Sequence, residues 1–552
     1  MKRFVLCLVG LFLSGLLFAV IFNVTYAVPV NQLITGDLIS PRSDLTQCLT
    51  VNSTDPSTAP DIVLDACRGT SQQRWTHDTA AGQWQTELDT SYCLATVDNA
   101  PNAGGSLTVR LCSDSRALSL EPNPTLTDSY RISGTAFVLD WGVYDIVAVA
   151  EQNGFDYQYF RWLQPDLDTV DSQGCAITYP FDATDTATYN RELACDHVAK
   201  LQPPYQVPVA AQRNPSIFPG VVPPGAPVVS GRTYTFNLQF QDNSYARMAV
   251  APNNWKSTGL YAPADQIITV TVNNATVSDL NNVYVQLGIH TDILQPTSGN
   301  VVNAGQFLRY PNVVTRVRLQ PGVNQVRSPY GGLVILVSTK SLSKTIDLQI
   351  DNVVEAPYFV AGKTTEAEWL ARRTAPAPWG EVESDLAVLS VATSQLSLLS
   401  YAEVSEMAQF YSNITRYHNE ASGLSDSAAI PNRFPQGQQR FVTDKQIVAG
   451  SAHSGYPTVF FDSYLVLVRH ADLVGLHAQE LFFGNSRLAD SNAYASAIAL
   501  LNNPAVTNKW AAADFFQKLV FIDQLRLGFP ELDWGFWQGL MRRYRAMTNA
   551  EY

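Results

Sequence analysis

Apolar and polar residues alternate in several short segments in the middle of the chain, between residues 231 and 360. The alternation is clearest in the segments TYTFNLQFQ, QIITVTV, VVTRVRL and TIDLQI, which are short and well separated. Successive side chains of a strand point to opposite faces, so a period of two indicates strands with one buried face. Several such strands at short spacing predict a β-sandwich over residues 231–360.

In the last third of the chain the apolar residues recur at helical spacing. The pattern covers residues 391–417, 462–483 and 510–547. Apolar positions three and four residues apart give a helix one apolar face, which it buries against a neighbour. We therefore expect residues 361–552 to form a mainly helical domain.

The first 27 residues have the pattern of a secretory signal peptide. A basic start is followed by an apolar run over residues 5–22, and Thr25 and Ala27 occupy the −3 and −1 positions of a cleavage site. An uncleaved membrane anchor is the alternative, because the apolar run is long. No later stretch is apolar enough to span a bilayer, so we expect the protein to be secreted or held at the cell surface.

Six cysteines follow the predicted signal peptide, namely Cys48, Cys67, Cys93, Cys112, Cys175 and Cys195. An even number in an exported chain, without a C-x-x-C spacing, favours disulfides over metal thiolates. The last two cysteines lie in residues 166–230, which are rich in proline and polar residues and are predicted to be a connector. A disulfide between them would close a loop.

The first four cysteines lie in an internal repeat. Cys48 and Cys67 are nineteen residues apart, Cys93 and Cys112 are also nineteen apart, and the two pairs are offset by 45 residues. Each copy begins with Cys-Leu and continues into an alternating apolar segment. Such self-similarity indicates one structural unit used more than once.

The first copy closes with Gln73-Arg74-Trp75, a Q-x-W signature. Together with the repeated cysteine pairs, this resembles the ricin-type β-trefoil lectins over residues 28–165. The resemblance implies a lectin-like domain that binds glycans. Trp75 would then either contact a glycan or pack in the core of the domain.

Composition and charge narrow the range of functions. The chain has 552 residues, of which 46% are hydrophobic, and this length predicts roughly three or four domains. The formal net charge is −13 at pH 7, and no block of Lys and Arg occurs. Binding to nucleic acid requires a basic face that displaces counterions, so we expect no nucleic-acid partner.

Six phrases in the second half of the chain are similar to landmarks of the M60-like, enhancin-type peptidases. In order, they are WKSTGLYAPADQIITVTV, LGIHTD, SPYGGLVIL, EAPYFVAGKTT, APAPWGEVE and AHSGYP. The resemblance implies a secreted zinc metallopeptidase that acts on mucins or other O-glycosylated proteins, with glycoproteins or glycans as partners. The expected fold is multidomain: a β-trefoil, then a β-sandwich, then a mainly helical gluzincin-like peptidase domain.

The zinc motif of that family, H-E-x-x-H, is absent from the chain. The motif places two imidazoles one helical turn apart with a glutamate base between them. At the corresponding place stands His477-Ala478-Gln479-Glu480. The resemblance implies His477 and Glu480 as metal ligands, since positions i and i+3 can share an ion. His470 lies about 10 Å from His477 along a helix axis, too far to bind the same zinc ion.

Two hypotheses remain open. In the first, His477, Glu480 and a third ligand hold a zinc ion, and the protein cleaves glycoproteins. In the second, the protein keeps the fold and binds glycans as a pseudopeptidase or adhesin without turnover. Under either hypothesis Trp255 and Tyr330 are predicted to stack on glycans, and packing in the sandwich core is the alternative for both.

Overall fold

The computed structural model describes residues 38–41, 46–97, 105–122, 130–132, 137–141, 146–150, 160–246, 251–421, 424–450, 452–453 and 455–461. These residues form thirty β-strands and six α-helices. The predicted signal peptide, residues 1–27, lies outside them. Among the described helices, none combines the length and the apolar character that crossing a bilayer requires.

The first unit is built from twelve described strands. They are β1 (Ile39–Pro41), β2 (Gln47–Val51), β3 (Ile62–Ala66), β4 (Trp75–Asp78), β5 (Gln83–Thr86), β6 (Tyr92–Thr96), β7 (Gly105–Leu111), β8 (Leu120–Pro122), β9 (Tyr130–Ile132), β10 (Phe137–Trp141), β11 (Ile146–Ala150) and β12 (Phe160–Trp162). Eight of them form one antiparallel sheet in the order β4-β5-β6-β7-β11-β10-β9-β8, while β2 pairs with β3 and β1 with β12. The β-trefoil predicted for residues 28–165 is not confirmed by this arrangement.

Two disulfides lie within the described part of this unit. Cys48 is bonded to Cys67 and Cys93 to Cys112, so each copy of the internal repeat contains one bond. The side chains of Trp75 and Trp84 are both fully buried in the core of the unit.

Two helices follow the first unit, α1 (Leu163–Gln173) and α2 (Thr186–Ala199), with the short strand β13 (Phe181–Asp182) between them. A disulfide between Cys175 and Cys195 joins the end of α1 to α2. In α1 the buried residues Leu163, Leu167 and Val170 recur at helical spacing, but polar neighbours hide this pattern in the sequence. The segment predicted to be a connector therefore begins with packed helices.

A buried hydrogen-bonded chain ties these helices to β1. His197 Nδ1 lies 2.6 Å from Asp166 Oδ2, and His197 Nε2 lies 2.8 Å from Ser40 Oγ. The three residue types match those of a catalytic triad, but all three side chains are buried. A substrate cannot reach them, so these hydrogen bonds serve to hold β1, α1 and α2 together.

Two sheets enclose one apolar core in the next unit. Its elements are β14 (Val228–Val229), β15 (Arg232–Asn237), β16 (Asn254–Ala262), β17 (Ile268–Val272), β18 (Val283–Leu287), α3 (Gly299–Ala304), β19 (Gln306–Phe307), β20 (Thr315–Arg318), β21 (Gly322–Val326), β22 (Gly332–Ser338), β23 (Thr345–Asp351) and β24 (Val353–Glu355). One sheet has the order β14-β24-β16-β22-β18-β20 and the other β15-β23-β17-β21. Residues of both sheets, such as Val285 and Ile346, share the core. We call this two-sheet unit the sandwich.

Strands β18 and β22 approach each other very closely where β22 begins. Gly332 has φ of +154°, and a Cβ atom at this position would lie 2.2 Å from the backbone nitrogen of Gly288. Only glycine lets the two backbones come this close. Gly288 opens the segment 288–292, which leaves the sandwich toward the next unit.

The hairpin of β2 and β3 lies against β20, an edge strand of the sandwich. Thr46 Oγ1 donates a 2.7 Å hydrogen bond to the carbonyl of Arg316, and Arg318 forms an ion pair with Asp65 at 3.3 Å. The first unit therefore covers one edge of the sandwich.

The last described unit is a mixed sheet with three helices. Its elements are β25 (Tyr358–Val360), α4 (Glu366–Arg372), β26 (Trp379–Glu383), β27 (Ala387–Ala392), α5 (Thr393–Leu396), α6 (Tyr401–Ala421), β28 (Gln439–Asp444), β29 (Ala452–His453) and β30 (Thr458–Phe461). The sheet order is β25-β26-β27-β28-β30-β29. Strands β27, β28 and β30 are parallel, and β29 is antiparallel to β30.

The prediction of a mainly helical domain over residues 361–552 is not confirmed by its described part. Helical spacing was expected from residue 391, yet Val391 lies in β27, and α6 begins only at Tyr401. In β27 nearly every side chain is buried, so its apolar residues form a continuous run. Such a run gives no period that separates a strand from a helix.

Candidate functional site

Strand β28 turns its two faces to different environments. Phe441 lies in the core beneath α6, with its ring centroid 5.2 Å from that of Tyr411. Val442 lies on the opposite face, in an apolar cluster shared with the sandwich. Because side chains alternate along a strand, Arg440 and Asp444 share the face of Val442. The strand thus places one cation and one anion at the boundary between the two units.

Asp444 is paired with Arg309 of the sandwich. Arg309 Nε donates to Asp444 Oδ1 at 2.8 Å, and Nη2 donates to Oδ2 at 2.9 Å. Both side chains are fully buried. Burial raises the pKa of the Asp444 carboxyl to about 6, and the Arg309 guanidinium opposes that rise. The guanidinium therefore helps to keep this buried carboxylate ionised near neutral pH.

Asp292 connects this buried pair to the surface. Its carbonyl oxygen accepts a 3.2 Å hydrogen bond from Arg309 Nη2. Its carboxylate oxygen Oδ2 accepts a 2.8 Å bond from the backbone of Val448 and lies 2.8 Å from His453 Nε2. The His453 side chain is 25% exposed and that of Asp292 is 8% exposed. The polar network therefore reaches solvent at His453, in β29.

His290 lies two residues before Asp292 and is buried. Its ring centroid is 4.3 Å from that of Trp379 and 4.7 Å from that of Phe218, in edge-on contacts. Burial lowers the pKa of this imidazole well below its ordinary value, and the charge of Arg309 acts in the same direction. His290 is therefore a neutral packing residue at the boundary.

The side-chain amide of Gln446 fixes the turn after β28. Its Oε1 accepts a 2.8 Å bond from the backbone of Leu308, and its Nε2 donates a 2.9 Å bond to the carbonyl of Gln306. The backbone nitrogen of Gln446 donates to Asp444 Oδ1 at 3.1 Å. The turn that leads from β28 toward β29 is thus bonded to the sandwich through the Gln446 side chain.

A second buried ion pair lies within the mixed sheet at the other end of β28, where Arg440 also bonds to the sandwich. Arg440 Nη1 donates to Glu381 Oε1 at 2.9 Å, and Nη2 donates to Ser257 Oγ at 2.9 Å. The guanidinium groups of Arg440 and Arg316 lie over the Trp255 ring, with their central carbons 5.8 and 5.7 Å from its centroid. This half-buried indole is therefore held by two cations.

Trp255 also contacts the segment that follows β29. Its ring makes an edge-on contact with Tyr456, with centroids 5.2 Å apart. The Tyr456 hydroxyl donates to the carbonyl of Gln438 at 2.9 Å. Trp255, which was predicted to bind glycans, therefore lies beside Tyr456, three residues after His453 in the chain.

The other two aromatic residues predicted to bind glycans are fully buried. Trp75 Nε1 donates a 3.1 Å bond to the carbonyl of Leu49. The Tyr330 hydroxyl donates a 2.6 Å bond to Asp196, and its ring lies 4.8 Å from that of Tyr310. Neither ring presents a face to a ligand, so in this structure core packing accounts for both residues.

The predicted metal ligands His477 and Glu480 lie outside the described residues. Among the described residues, no group of three His, Cys, Asp or Glu side chains is placed to hold a metal ion. A catalytic zinc ion takes three protein ligands and a water molecule. Asp292, His453 and Asp444 do not fit this requirement, because Asp444 is bound by Arg309 and Asp292 by Val448.

Sequence reasoning passed over Arg309, Asp444 and Gln446. A usable signal was present, since Asp444 ends the buried strand QRFVTD and Arg309 stands between Leu308 and Tyr310. A charged residue inside an apolar segment requires a buried partner. The identity of that partner, 135 residues away in the chain, could not be read from the spacing.

The chain is similar to curated proteins over part of its length. It is 33% identical over 205 residues to TRPM8 channel-associated factor 1 of Homo sapiens. This match covers 37% of this chain and 20% of that protein. It is 34% identical over 208 residues to TRPM8 channel-associated factor 3 of Rattus norvegicus, with 37% and 21% covered. The chain therefore spans about a fifth of the length of these relatives.

Solved structures also match. The IMPa metallopeptidase from Pseudomonas aeruginosa is 17% identical, with a TM-score of 0.44, and the match covers 69% of this chain and 49% of that one. A conserved protein of unknown function from Bacillus anthracis str. Ames is 18% identical, with a TM-score of 0.40, and the match covers 58% of this chain and 68% of that one.

Two family models match adjoining parts of the chain. Residues 236–351 match the N-terminal domain of M60-like peptidases, and residues 352–469 match the family of Peptidase M60, enhancin and enhancin-like proteins. Asp292 and Arg309 lie in the first match, and Asp444 and His453 lie in the second. Residues 236–469 are therefore similar to M60-like peptidases, first to the family's N-terminal domain and then to its peptidase domain.

Proposed function

We propose that this protein is an exported M60-like protein that binds mucin-type glycoproteins and hydrolyses their peptide backbone with zinc. The observation that carries the proposal is the unbroken match of residues 236–469 to the two M60-like family models. The N-terminal sequence, with its signal-peptide pattern, supports export.

The geometry at β29 supports a polypeptide ligand. In the described sheet β29 is the terminal strand, next to β30. The outer side of a terminal strand presents backbone N–H and C=O groups, and an extended peptide can pair with them as an additional strand. Lys and Arg are few across the chain, so we expect this pairing, rather than charge, to provide the contact with the backbone.

Trp255 supports a glycan next to that polypeptide. Its indole is half-buried and contacts Tyr456, three residues beyond β29. An aromatic ring that is held rigidly and is partly exposed can stack on the apolar face of a sugar. A peptide on β29 and its O-linked sugar on Trp255 would thus be neighbours.

Binding is tested with the purified chain and one synthetic peptide, prepared with and without an O-linked disaccharide. Binding of the glycosylated form, measured by fluorescence anisotropy, should be tighter than that of the bare peptide. Trp255→Ala should weaken binding of the glycopeptide about tenfold and leave the bare peptide unchanged, with Trp255→Phe intermediate. Equal affinity for the two peptides would contradict the glycan part of the proposal.

A second candidate function is glycoprotein binding without hydrolysis. It is favoured by the absence of H-E-x-x-H from all 552 residues, since Ala478 and Gln479 separate His477 from Glu480. Without a carboxylate base the rate would fall by about 10² to 10⁴. Nothing else in the sequence supplies a second imidazole one turn from His477.

Metal analysis separates the two candidates. The hydrolase requires stoichiometric zinc that His477→Ala abolishes, together with glycopeptide fragments detected by mass spectrometry. A metal-free protein that binds the glycopeptide and leaves it intact would support the second candidate instead.

A further inference from the structure

We propose that Asp292 is a positioning residue through which the N-terminal M60-like domain fixes the edge strand β29 of the peptidase domain. The proposal deepens the proposed function and rests on it, because β29 is the strand on which we expect the polypeptide ligand to pair. Asp292 does not touch that ligand. It acts through Val448 and His453.

Within the described residues, β29 has little support from its own sheet. β29 contains two residues and is paired with β30 at two positions, Ala452 with Phe460 and His453 with Val459. So short a ladder fixes a strand only weakly, because pairing and packing of several residues are needed for a stable strand. Contacts from outside the sheet must therefore decide where β29 lies.

Asp292 supplies such contacts from the sandwich. One carboxylate oxygen, Oδ2, lies 2.8 Å from His453 Nε2 and accepts a 2.8 Å bond from the Val448 backbone. Hydrogen bonds to an ionised acceptor are about twice as strong as neutral ones. The same oxygen thus holds β29 itself and the turn that leads into it.

Asp292 is in turn held in place by buried groups. Its carbonyl oxygen accepts a bond from Arg309 Nη2 at 3.2 Å, and Arg309 is paired with Asp444 at the end of β28. Two residues earlier, His290 is packed between Trp379 and Phe218. The carboxylate therefore has a fixed position relative to β28, and it transmits that position to β29.

The test uses the full chain with Asp292→Asn, which keeps the shape of the side chain and removes its charge. Asp279→Asn is the matched control, because Asp279 pairs with Lys344 on the sandwich and not with the mixed sheet. Hydrogen exchange is followed by mass spectrometry in peptides that contain Val448 and His453, and glycopeptide affinity is measured by anisotropy.

We expect Asp292→Asn to speed exchange in these peptides and to weaken glycopeptide binding, each about tenfold, while Asp279→Asn changes neither. Unchanged exchange at Val448 and His453 in Asp292→Asn would overturn the proposal, whatever happens to binding. If exchange changes in Asp292→Asn but the wild-type chain binds no glycopeptide, the positioning role stands and the proposed function fails.

His453→Ala provides a second variant in case Asp292→Asn does not fold. It removes one partner of the carboxylate at a partly exposed position and leaves the bond to Val448. Faster exchange in β29 together with wild-type exchange in β28 would support the proposal. Wild-type exchange in β29 would overturn it.

Discussion

His290 is a single side chain that makes stability depend on pH. It is neutral in the folded protein because burial and the nearby Arg309 lower its pKa well below 6.5. In the unfolded chain the imidazole has its ordinary pKa and takes up a proton below about pH 6.5. The folded state does not gain that proton, so acidification favours the unfolded state.

We predict that His290 lowers the unfolding free energy by about 1.4 kcal/mol when the pH falls from 7.5 to 5.5. The variant His290→Phe keeps an aromatic ring beside Trp379 and removes the titrating group. Urea unfolding at the two pH values should show a loss that is smaller in the variant by this amount. The same loss in both proteins would show that His290 can be protonated in the folded state.

The buried pair of Arg309 and Asp444 leads to a second prediction. Asp444→Asn leaves the Arg309 guanidinium buried without its counter-charge, and we expect a loss of about 3–5 kcal/mol in unfolding free energy. Asp279→Asn breaks the more exposed pair with Lys344 and should cost at most about 1 kcal/mol. Urea unfolding of both variants measures the difference. Similar losses would mean that the buried pair contributes no more than a surface pair.

Several residues at this scale could not be assigned from the sequence. An aromatic side chain in a strand or next to one is expected in a core and in a glycan site alike, so Trp75 and Tyr330 were indistinguishable from Trp255. The difference lies in distant partners: Tyr330 donates to Asp196, 134 residues away. Burial of this kind depends on tertiary contacts, which the sequence around each residue does not reveal.

At the scale of elements, the alternation of apolar and polar residues predicted strands correctly where one face of the strand is buried. β23 alternates between buried and exposed residues, and its alternation was visible in TIDLQI. Nearly every side chain of β27 is buried, and its end, from Val391, was predicted to begin a helix. The period of the sequence therefore predicts the sandwich strands but not the central strands of the mixed sheet.

The close approach of β18 and β22 gives a prediction about these elements. In Gly332→Ala the new Cβ atom would meet the Gly288 backbone, which cannot move without breaking the pairing of the two strands. We expect a loss of about 1–3 kcal/mol or more. In the control Gly305→Ala the φ angle is also positive, but nothing lies within 4 Å of the new atom, so the loss should be about 1 kcal/mol. The midpoints of urea unfolding of the two variants measure the difference between these losses.

At the scale of the whole molecule, the two family matches do not divide the chain into two separate folds. The first match ends at residue 351, yet β24 (Val353–Glu355) pairs with β14 and β16 of the sandwich. Asp292 and Arg309 have partners beyond the same boundary. In this chain, the region matched to the family's N-terminal domain is therefore incomplete without residues of the region matched to the peptidase domain.

We predict that a fragment of residues 236–351 does not fold as a stable monomer. It would leave β16 without β24 and Arg309 without Asp444, which exposes an edge and removes the partner of a buried charge. Circular dichroism and gel filtration, with the intact chain as control, measure the outcome. A monomer with a cooperative unfolding transition would contradict the prediction.

The hairpin of β2 and β3 has a consequence for solubility. The hairpin lies along β20 and is fixed there through Thr46 and Asp65. It therefore covers the backbone N–H and C=O groups at the outer edge of β20, to which a neighbouring molecule could otherwise add a strand. Proteolytic trimming of the first seventy residues would uncover these groups, and the shortened protein would be expected to form fibrous or amorphous deposits at concentrations where the intact one stays dispersed.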